Sequence, residues 1–305
     1  MINGHMETII PSMFFKVEEV DYQRERLELP DTDFLDLDWL ENANDRLIIL
    51  SHGLEGSSER YYVKRSAKYF AERGWDVLAW NCRSCSGEMN RLPRFYHHGD
   101  SDDLGHVIDH ALKRDYSKVV LMGYSMGGSM SLKYLGEERP RDERIIAAAT
   151  FSVPVNLKDS SDQLEKKGNK IYEKRFLKKL KEKIRLKAEQ HPDKISTGGL
   201  DEMKDFNEFH ERYTVPLHGF NSIQQFFDSS TCDQYLDRIS VPVLIGNAFN
   251  DPMLGEKCYP YKLASESNQV HLEVSKNGGH VGFTYMNRSY SWMESRAEQF
   301  INEFC

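Results

Sequence analysis

The chain has 305 residues, a hydrophobic fraction of 39% and a formal net charge of -8 at pH 7. Its mean hydropathy of -0.63 and the lack of a long apolar run argue against an integral membrane protein, and its negative charge argues against nucleic-acid binding. Five cysteines, an odd number, and no recognisable export signal favour reduced thiols and a cytoplasmic location.

The first predicted elements form a hairpin. Residues 1–6 are interpreted as a cloning remnant and are set aside from the fold. Residues 26–39 alternate apolar and polar side chains around a turn that contains proline. This pattern predicts two antiparallel strands with Leu35, Leu37 and Trp39 facing the core. The aspartates between them are expected on a solvated strand face rather than in a calcium site.

From residue 46 onward, short apolar runs alternate with amphipathic segments. The runs lie at 47–50, 75–80, 119–122, 145–151, 241–246 and 270–274, and helices are predicted at 61–73, 102–113 and 129–138. Strands that are buried on both faces and separated by helices indicate βαβ units. The sequence therefore predicts an α/β fold with a mostly parallel central sheet flanked by helices.

Residues 155–233 interrupt this alternation. They contain no strand-like run and are rich in helix formers and charge, and the strand pattern resumes only at residue 241. We therefore expect one discontinuous core domain, 7–154 and 234–305, with a helical lid at 155–233. Such an insertion would lie over the carboxyl ends of the strands, where ligands bind in α/β folds.

A strongly basic segment lies within the expected lid. Residues 166–187 hold eleven Lys or Arg and two glutamates, while Tyr172, Phe176, Leu180 and Ile184 recur every four residues. The spacing predicts an amphipathic helix. Its basic face is interpreted as solvated, and contact with anionic lipid or an acidic substrate is the alternative.

The segment Gly123-Tyr124-Ser125-Met126-Gly127 carries the strongest functional signal. It joins an apolar strand to a helix-compatible segment, and Gly-x-Ser-x-Gly in that context predicts a nucleophilic Ser125 on a strained turn. Small residues are needed two positions before and two positions after the serine, because larger side chains there would collide with the neighbouring strand and helix. The backbone amides of Met126 and Leu54 are expected to form the oxyanion hole.

A nucleophilic serine requires an acid and a histidine later in the chain. Asp251 follows one of the late strands, and His280 stands in a glycine-rich loop after the next strand. The order Ser125, Asp251, His280 is that of α/β-hydrolases. Two aspartates before the strand and one histidine within a strand are weaker rivals, namely Asp233, Asp237 and His271.

Two further groups suggest metal ligands but are interpreted as structural. Cys82 and Cys85 form a Cys-x-x-Cys without the second ligand pair of a zinc site. Four histidines lie close together in the sequence without a carboxylate-histidine motif, namely His97, His98, His106 and His110. We expect neither a metal nor a cofactor.

With these motifs together, the chain resembles the YheT-like branch of the α/β-hydrolases, which is related to eukaryotic ABHD-type esterases and lipases. The segments that carry the resemblance are 51–59, 81–87, 90–97, 123–127, 216–220, 247–252 and 278–283. The resemblance implies hydrolysis of carboxylic esters by Ser125, Asp251 and His280, and a structural role for the turn at Cys82–Cys85.

Two positions depart from the family pattern. Ser84 stands where the family usually has glycine, so the turn is expected to be strained or adjusted there. Asn250 stands where many relatives have a second aspartate, which leaves Asp251 as the main candidate for the triad acid.

The expected function is that of a serine hydrolase. It would cleave short- to medium-chain or lipid-like esters through an acyl-enzyme, with a small-molecule ester as its partner. An acyltransferase or thioesterase with the same triad, and a non-catalytic small-molecule receptor, are the alternatives. The sequence leaves the substrate and the oligomeric state open.

Overall fold

Eight strands form one sheet in the computed structural model, which describes residues 3–17, 20–285 and 289–305. The strands are β1 (Gln23–Glu28), β2 (Phe34–Leu40), β3 (Arg46–Ser51), β4 (Asp76–Asn81), β5 (Lys118–Tyr124), β6 (Ile145–Phe151), β7 (Val243–Ala248) and β8 (Val270–Ser275). Their order across the sheet is β1-β2-β4-β3-β5-β6-β7-β8. The β1–β2 and β2–β4 pairs are antiparallel and the other pairs are parallel, which confirms the predicted fold class.

Helices cover both faces of this sheet. They are α1 (Gly4–Phe14), α2 (Tyr61–Ala71), α3 (Ser101–Ala111), α4 (Met126–Gly136), α5 (Leu157–Glu165), α6 (Lys170–Gln190), α7 (Phe206–Phe209), α8 (Val215–His218), α9 (Ile223–Ser230), α10 (Tyr261–Glu266) and α11 (Trp292–Ile301). Helices α1, α10 and α11 have no counterpart among the predicted elements.

Alternate residues of the central strands belong to two different cores. In β3, Ile48 and Leu50 lie in the core that includes α2 and α11, whereas Leu47 and Ile49 lie in the core that includes α3 and α4. All four side chains are fully buried. Each contributes about 2 kcal/mol through burial, which is why the strand shows no polar alternation.

The predicted hairpin is present as β1 and β2. The two strands pair with Leu27 opposite Leu35, and the three predicted core residues are buried, namely Leu35, Leu37 and Trp39. Because β2 also pairs with β4, it is an internal strand with neighbours on both sides.

The expectation that the β2 aspartates face solvent is wrong. Asp36 and Asp38 are buried, and each faces an arginine directly across the β1–β2 ladder. Arg26 Nε lies 2.8 Å from Asp36 Oδ1, and Arg24 Nε lies 2.7 Å from Asp38 Oδ1. A carboxylate tolerates burial only when it is paired and hydrogen-bonded, and the opposite strand supplies these partners.

Residues 155–233 lie between β6 and β7 and contain α5 to α9 and turns, with none of these residues in a strand. Helices α5 and α6 line the space above Ser125. The helical content therefore matches the sequence pattern, while the domain bounds 7–154, 155–233 and 234–305 stay a prediction. We call residues 155–233 the lid segment.

The basic amphipathic segment forms α6, with Tyr172, Leu180 and Ile184 buried. Its basic side is not uniformly solvated, because Lys183 and Lys187 are buried as well. Lys183 Nζ lies 2.7 Å from a Glu55 carboxylate oxygen, and the Lys187 ammonium donates to the carbonyl oxygens of Asn90 and Leu92. The interpretation of a solvated face is wrong for these two lysines.

Part of the segment interpreted as a cloning remnant belongs to the first helix. Met1 and Ile2 lie outside the described residues, but α1 begins at Gly4, and the Asn3 side chain accepts the Met6 amide at 3.0 Å. The His5 ring stacks on Tyr172 of α6, with centroids 5.8 Å apart. Residues 4–6 therefore belong to a helix that contacts the lid segment.

The turn formed by the Cys-x-x-Cys segment is held in place by a buried arginine. Cys85 donates its amide to the Cys82 carbonyl at 2.9 Å, and all five cysteines are free thiols. Between them, Arg83 is buried and pairs with Asp103 at 2.7 Å and Asp33 at 2.9 Å. This network ties the turn to α3 and to the hairpin, which supports its structural interpretation.

Ser84 adopts the left-handed backbone conformation that favours glycine, with a φ of 61°. Such a conformation costs a residue with a Cβ about 1 to 2 kcal/mol. The Ser84 hydroxyl accepts the Asn90 amide at 3.1 Å and donates to the Asn90 side-chain oxygen. These bonds to the following loop offset part of the backbone cost and explain how serine is accommodated.

Candidate active site

Ser125 stands on a tight turn between β5 and α4. Its φ of 52° and ψ of -121° are strained for a residue with a side chain. A Cβ added to Gly123 would lie 2.5 Å from the Gly127 carbonyl oxygen, and one added to Gly127 would lie 2.3 Å from the Ser51 carbonyl oxygen. The predicted strand, turn and helix are present, and both glycines are required by these close approaches.

Three candidate side chains form a hydrogen-bonded chain. Ser125 Oγ lies 2.9 Å from His280 Nε2, and His280 Nδ1 lies 2.8 Å from Asp251 Oδ2. The Asp251 side chain is fully buried and that of His280 is 11% exposed. Asp251 Oδ1 also accepts the Met253 amide at 2.8 Å, so the carboxylate is held in one orientation.

The rival acid and base candidates lie elsewhere. Asp233 bonds to the Asn156 side chain at 2.6 Å, and Asp237 is exposed. The His271 ring packs edge-on against Phe300, with centroids 5.3 Å apart. The structure therefore brings together Ser125, Asp251 and His280 and leaves the rivals outside the site.

Helix α1 holds the loop that carries His280. The Thr8 hydroxyl accepts the His280 amide at 2.8 Å, and the Glu7 carboxylate accepts the Gly278 amide at 2.8 Å. Asn250 joins the same network through the Gly279 amide at 3.0 Å. Sequence reasoning missed these contacts because Thr8 and His280 are 272 positions apart and neither Glu7 nor Thr8 belongs to a local motif.

The two expected oxyanion donors lie beside Ser125. A Cβ added to Gly53 would lie 3.1 Å from Ser125 Cβ, which puts the loop containing Leu54 against Ser125. Met126 is the first residue of α4. Within the described residues, neither the Leu54 nor the Met126 amide has a protein acceptor. Both N–H groups are therefore free to donate to an oxygen beside Ser125.

His52 supports the loop at residues 53–56, which contains the candidate donor Leu54 and is here called the oxyanion loop. Its Nε2 accepts the Cys82 amide at 3.1 Å, so Nδ1 carries the proton and donates to the Gly53 carbonyl at 2.8 Å. Burial lowers the pKa of His52 to about 4. The ring is therefore neutral near pH 7, and its tautomer is set by these two bonds.

Two cavities meet at Ser125 and His280. The first, of about 60 Å³, is enclosed by apolar side chains of the lid segment and the core. The second, of about 130 Å³, lies between α1, α6 and the start of α2, and its wall carries Arg60, Arg175 and Lys179. Leu54 borders both cavities, so the candidate oxyanion donor stands at their junction.

Four histidines surround the end of the apolar cavity. Burial lowers the pKa of His97 and His210 to about 3 and that of His98 to about 4, and it lowers that of His218 as well. These rings are therefore neutral near pH 7. His97, His98 and His210 line the cavity, and His218 packs against His97 with ring centroids 4.8 Å apart. The three lining rings are therefore polar but uncharged contacts for a molecule in the cavity.

One group of potential metal ligands is brought together in the described part of the chain. The ligand atoms of His97, Asp100 and His218 lie within 4.8 Å of one another. His97 Nδ1 already accepts the Gly99 amide at 3.0 Å, while both ring nitrogens of His218 lack a protein partner. The helical pair suggested by the sequence is not part of this group, because His110 bonds to Glu25 at 2.8 Å.

Comparisons with known proteins point to one family. A family model described as the alpha/beta hydrolase fold matches residues 46–285. The chain is 31% identical over 313 residues to YheT of Escherichia coli, named as a candidate esterase, covering 99% of this chain and 91% of that protein. It is 27% identical over 307 residues to human phospholipase ABHD3, covering 94% and 75% of the two chains.

Solved structures share the fold at low identity. The esterase Pf2001 of Pyrococcus furiosus superposes with a TM-score of 0.63 at 16% identity, covering 93% of this chain and 91% of that one. Est1E of Butyrivibrio proteoclasticus, solved with ferulic acid, gives 0.57 at 16% identity, covering 93% and 99%. None of the helices among residues 3–17, 20–285 and 289–305 has the length and apolarity needed to cross a bilayer.

Proposed function

Because the chain belongs to the alpha/beta hydrolase family and is a carboxylic ester hydrolase, we propose that Ser125, His280 and Asp251 are its catalytic triad. The supporting observation is the unbroken line of hydrogen bonds from the serine hydroxyl through both ring nitrogens to a buried carboxylate. This arrangement is the one required to activate a serine as a nucleophile near neutral pH.

The reaction follows from the positions of the protons. As Ser125 Oγ bonds to the acyl carbon, His280 Nε2 takes the hydroxyl proton, and Asp251 stabilises the resulting imidazolium. The tetrahedral oxyanion accepts hydrogen bonds from the Leu54 and Met126 amides. Collapse breaks the ester bond, and the leaving alcohol receives the proton from His280. A water molecule then repeats the sequence on the acyl-enzyme, releasing the acid and restoring Ser125.

The acyl group is best accommodated in the apolar cavity. Its wall is built mainly from leucine and phenylalanine side chains, including Leu164, Leu180, Phe206, Phe209 and Phe226. Each methylene transferred from water to such a surface gains about 0.8 kcal/mol. We therefore propose that the substrate is an ester of an apolar acyl chain, which agrees with relatives named as esterase and phospholipase.

Replacing the nucleophile tests the mechanism directly. We expect Ser125→Ala to lower kcat on p-nitrophenyl butyrate by about 10³-fold or more, because removing a triad nucleophile leaves only binding and the oxyanion hole. Ser129→Ala, one turn further along α4, is the matched control and should keep most activity. Residual activity of Ser125→Ala within tenfold of the wild-type value would contradict the proposal.

A fluorophosphonate probe gives an independent measurement. We expect it to label Ser125 in the wild-type protein and to lose this label in His280→Ala, because the hydroxyl then lacks its base. A non-catalytic receptor would show no labelled Ser125 in either protein. Mass spectrometry of the labelled peptide distinguishes these results.

A further inference from the structure

The second cavity beside Ser125 has an unusual balance of charge. Of its wall residues, Arg60, Arg175 and Lys179 are cationic and none is acidic. Within the described residues, none of these three cations has a carboxylate within ion-pair distance, although the chain carries a net charge of -8. Three unpaired positive charges are therefore concentrated in the wall of this cavity.

The three cations differ in what holds them. The Arg60 guanidinium and the Lys179 ammonium both donate to the Glu55 carbonyl oxygen, Lys179 at 3.4 Å. These bonds fix the two cations over the loop that follows Leu54. The exposed Arg175, one helical turn before Lys179 on α6, has no such partner and is free to bind a ligand.

Mutual repulsion has a visible effect on Lys179. Burial is the main cause that lowers the pKa of this lysine; Arg60 and Arg175 lower it further, whereas Glu55 acts in the opposite direction without reversing the shift. Like charges held close together destabilise one another, and a bound anion would reduce this cost. The geometry of the cavity and this repulsion both favour a negatively charged occupant.

We propose that this cavity, the anion subsite formed by Arg60, Arg175 and Lys179, binds a phosphate or carboxylate group on the alcohol part of the substrate ester. The inference rests on the proposed function, because it takes Ser125 as the point of attack. The acyl chain occupies the apolar cavity, and the alcohol leaves on the opposite side of Ser125, toward the three cations. The preferred substrates are therefore esters of anionic alcohols.

The position of the three cations beside Ser125 argues for a substrate rather than a membrane surface. On the outer side of the helix, Arg185 pairs with Asp201, and Lys181 donates to the carbonyl oxygens of Asp201 and Met203. Arg185 is therefore neutralised, whereas Lys174 and Lys178 are exposed and have no carboxylate within ion-pair distance in the described part of the chain. Arg60, Arg175 and Lys179 differ from those two lysines because they line a partly open space of about 130 Å³ that contains Ser125, which suits a small anionic group.

Matched pairs of soluble esters test this inference. The first pair is monobutyrylglycerol and its 3-phosphate, and the second is the butyryl esters of ethylene glycol and of glycolate. For each pair, the ratio of kcat/KM for the anionic ester to that for the neutral ester is measured. Comparing variants by this ratio cancels differences in intrinsic reactivity, and the two pairs separate recognition of phosphate from recognition of carboxylate.

We expect Arg175→Gln to lower the ratio about fivefold and Arg175→Gln/Lys179→Gln to lower it tenfold or more, because charge-assisted hydrogen bonds are lost at a partly open site. Lys178→Gln, an exposed position on the same helix, is the control and should leave the ratio unchanged. Added salt should lower the wild-type ratio, since screening weakens the attraction. Arg60 is not substituted because it makes the shorter of the two bonds to the Glu55 carbonyl, and its loss would disturb the loop that carries Leu54 more than loss of Lys179.

The outcomes are distinct. Turnover of neutral esters with a ratio that does not change in the double variant overturns the anion subsite and leaves the proposed function intact. Absence of turnover of every ester, with no probe label on Ser125, overturns the proposed function itself. If the double variant keeps its ratio but loses binding to phosphatidylserine vesicles, the cations contact a membrane and the inference is wrong.

Discussion

At the scale of single residues, the site is fixed by side chains from opposite ends of the chain. Ser125, Asp251 and His280 could be named from the sequence because each stands in a motif whose backbone requirement is local. Glu7 and Thr8, which hold the histidine loop, could not, since a threonine or glutamate on an unremarkable helix has no such signature. Their role depends on where α1 lies, which no local pattern specifies.

Thr8 provides a direct test of that support. We expect Thr8→Val to lower kcat on p-nitrophenyl butyrate about tenfold, because the His280 amide loses its acceptor and the ring is less well held beside Ser125. Thr8→Ser keeps the hydroxyl and should restore most activity. Met13→Ala on the exposed side of α1 is the second control. Unchanged kcat in Thr8→Val would show that the loop holds its position alone.

At the scale of elements, α6 is joined to the oxyanion loop by a buried ion pair. Lys183 and Glu55 are 7% and 8% exposed, and the Glu55 carboxylate also accepts the Tyr96 hydroxyl at 2.6 Å. Burial is the largest single cause and would raise the pKa of Glu55, but Lys183, the Tyr96 hydroxyl and Lys179 together outweigh it and the pKa is lowered. The recurrence of apolar residues every four positions predicted the buried side of α6, whereas its charge pairs depend on the opposing loop.

Breaking this pair should destabilise the protein. We expect Lys183→Met to lower the free energy of unfolding by about 3 kcal/mol, because the Glu55 carboxylate is left buried without its counter-charge. Lys178→Met on the exposed side of α6 should change it by less than about 0.5 kcal/mol. Urea denaturation followed by circular dichroism measures the free energy of unfolding of both variants. A Lys183→Met protein as stable as the wild-type protein would contradict a stabilising role for the ion pair.

At the scale of the whole molecule, the sequence predicts the parallel sheet because buried strands have a continuous apolar pattern. The sequence pattern does not predict the burial of Asp36 and Asp38, because that burial depends on β2 being flanked by both β1 and β4. Pairing order is a property of the complete sheet. For the same reason, the grouping of four histidines from the core and the lid segment is visible only in the folded chain.

These histidines make stability depend on pH. An unfolded histidine has a pKa near 6.5, whereas the folded pKa is about 3 for His97 and His210 and about 4 for His98. Only the unfolded chain takes up these protons between pH 6.5 and about 4. The contribution of these neutral rings to the free energy of unfolding is therefore complete above pH 6.5. It is lost as pH falls through this range, by up to about 1.4 kcal/mol per pH unit for each ring.

Urea denaturation at pH 7 and pH 5 measures this dependence. We expect the wild-type protein to be less stable at pH 5, and His98→Leu to show a smaller loss between the two pH values because one titrating ring is removed. Gln190→Leu, an exposed position at the end of α6, removes no titrating group and should show the same loss as the wild-type protein. A wild-type stability that is equal at both pH values would contradict the lowered pKa values.

The position of α1 bears on how the protein is handled in the laboratory. This helix begins at Gly4 and contacts both the His280 loop and Tyr172 of the lid segment. An affinity tag fused ahead of residue 3 would start beside the loop that carries His280, so the effect of the tag on activity would be difficult to separate from the effect of a substitution. The carboxyl end, where Phe304 and Cys305 are exposed, offers an attachment point on a different part of the chain.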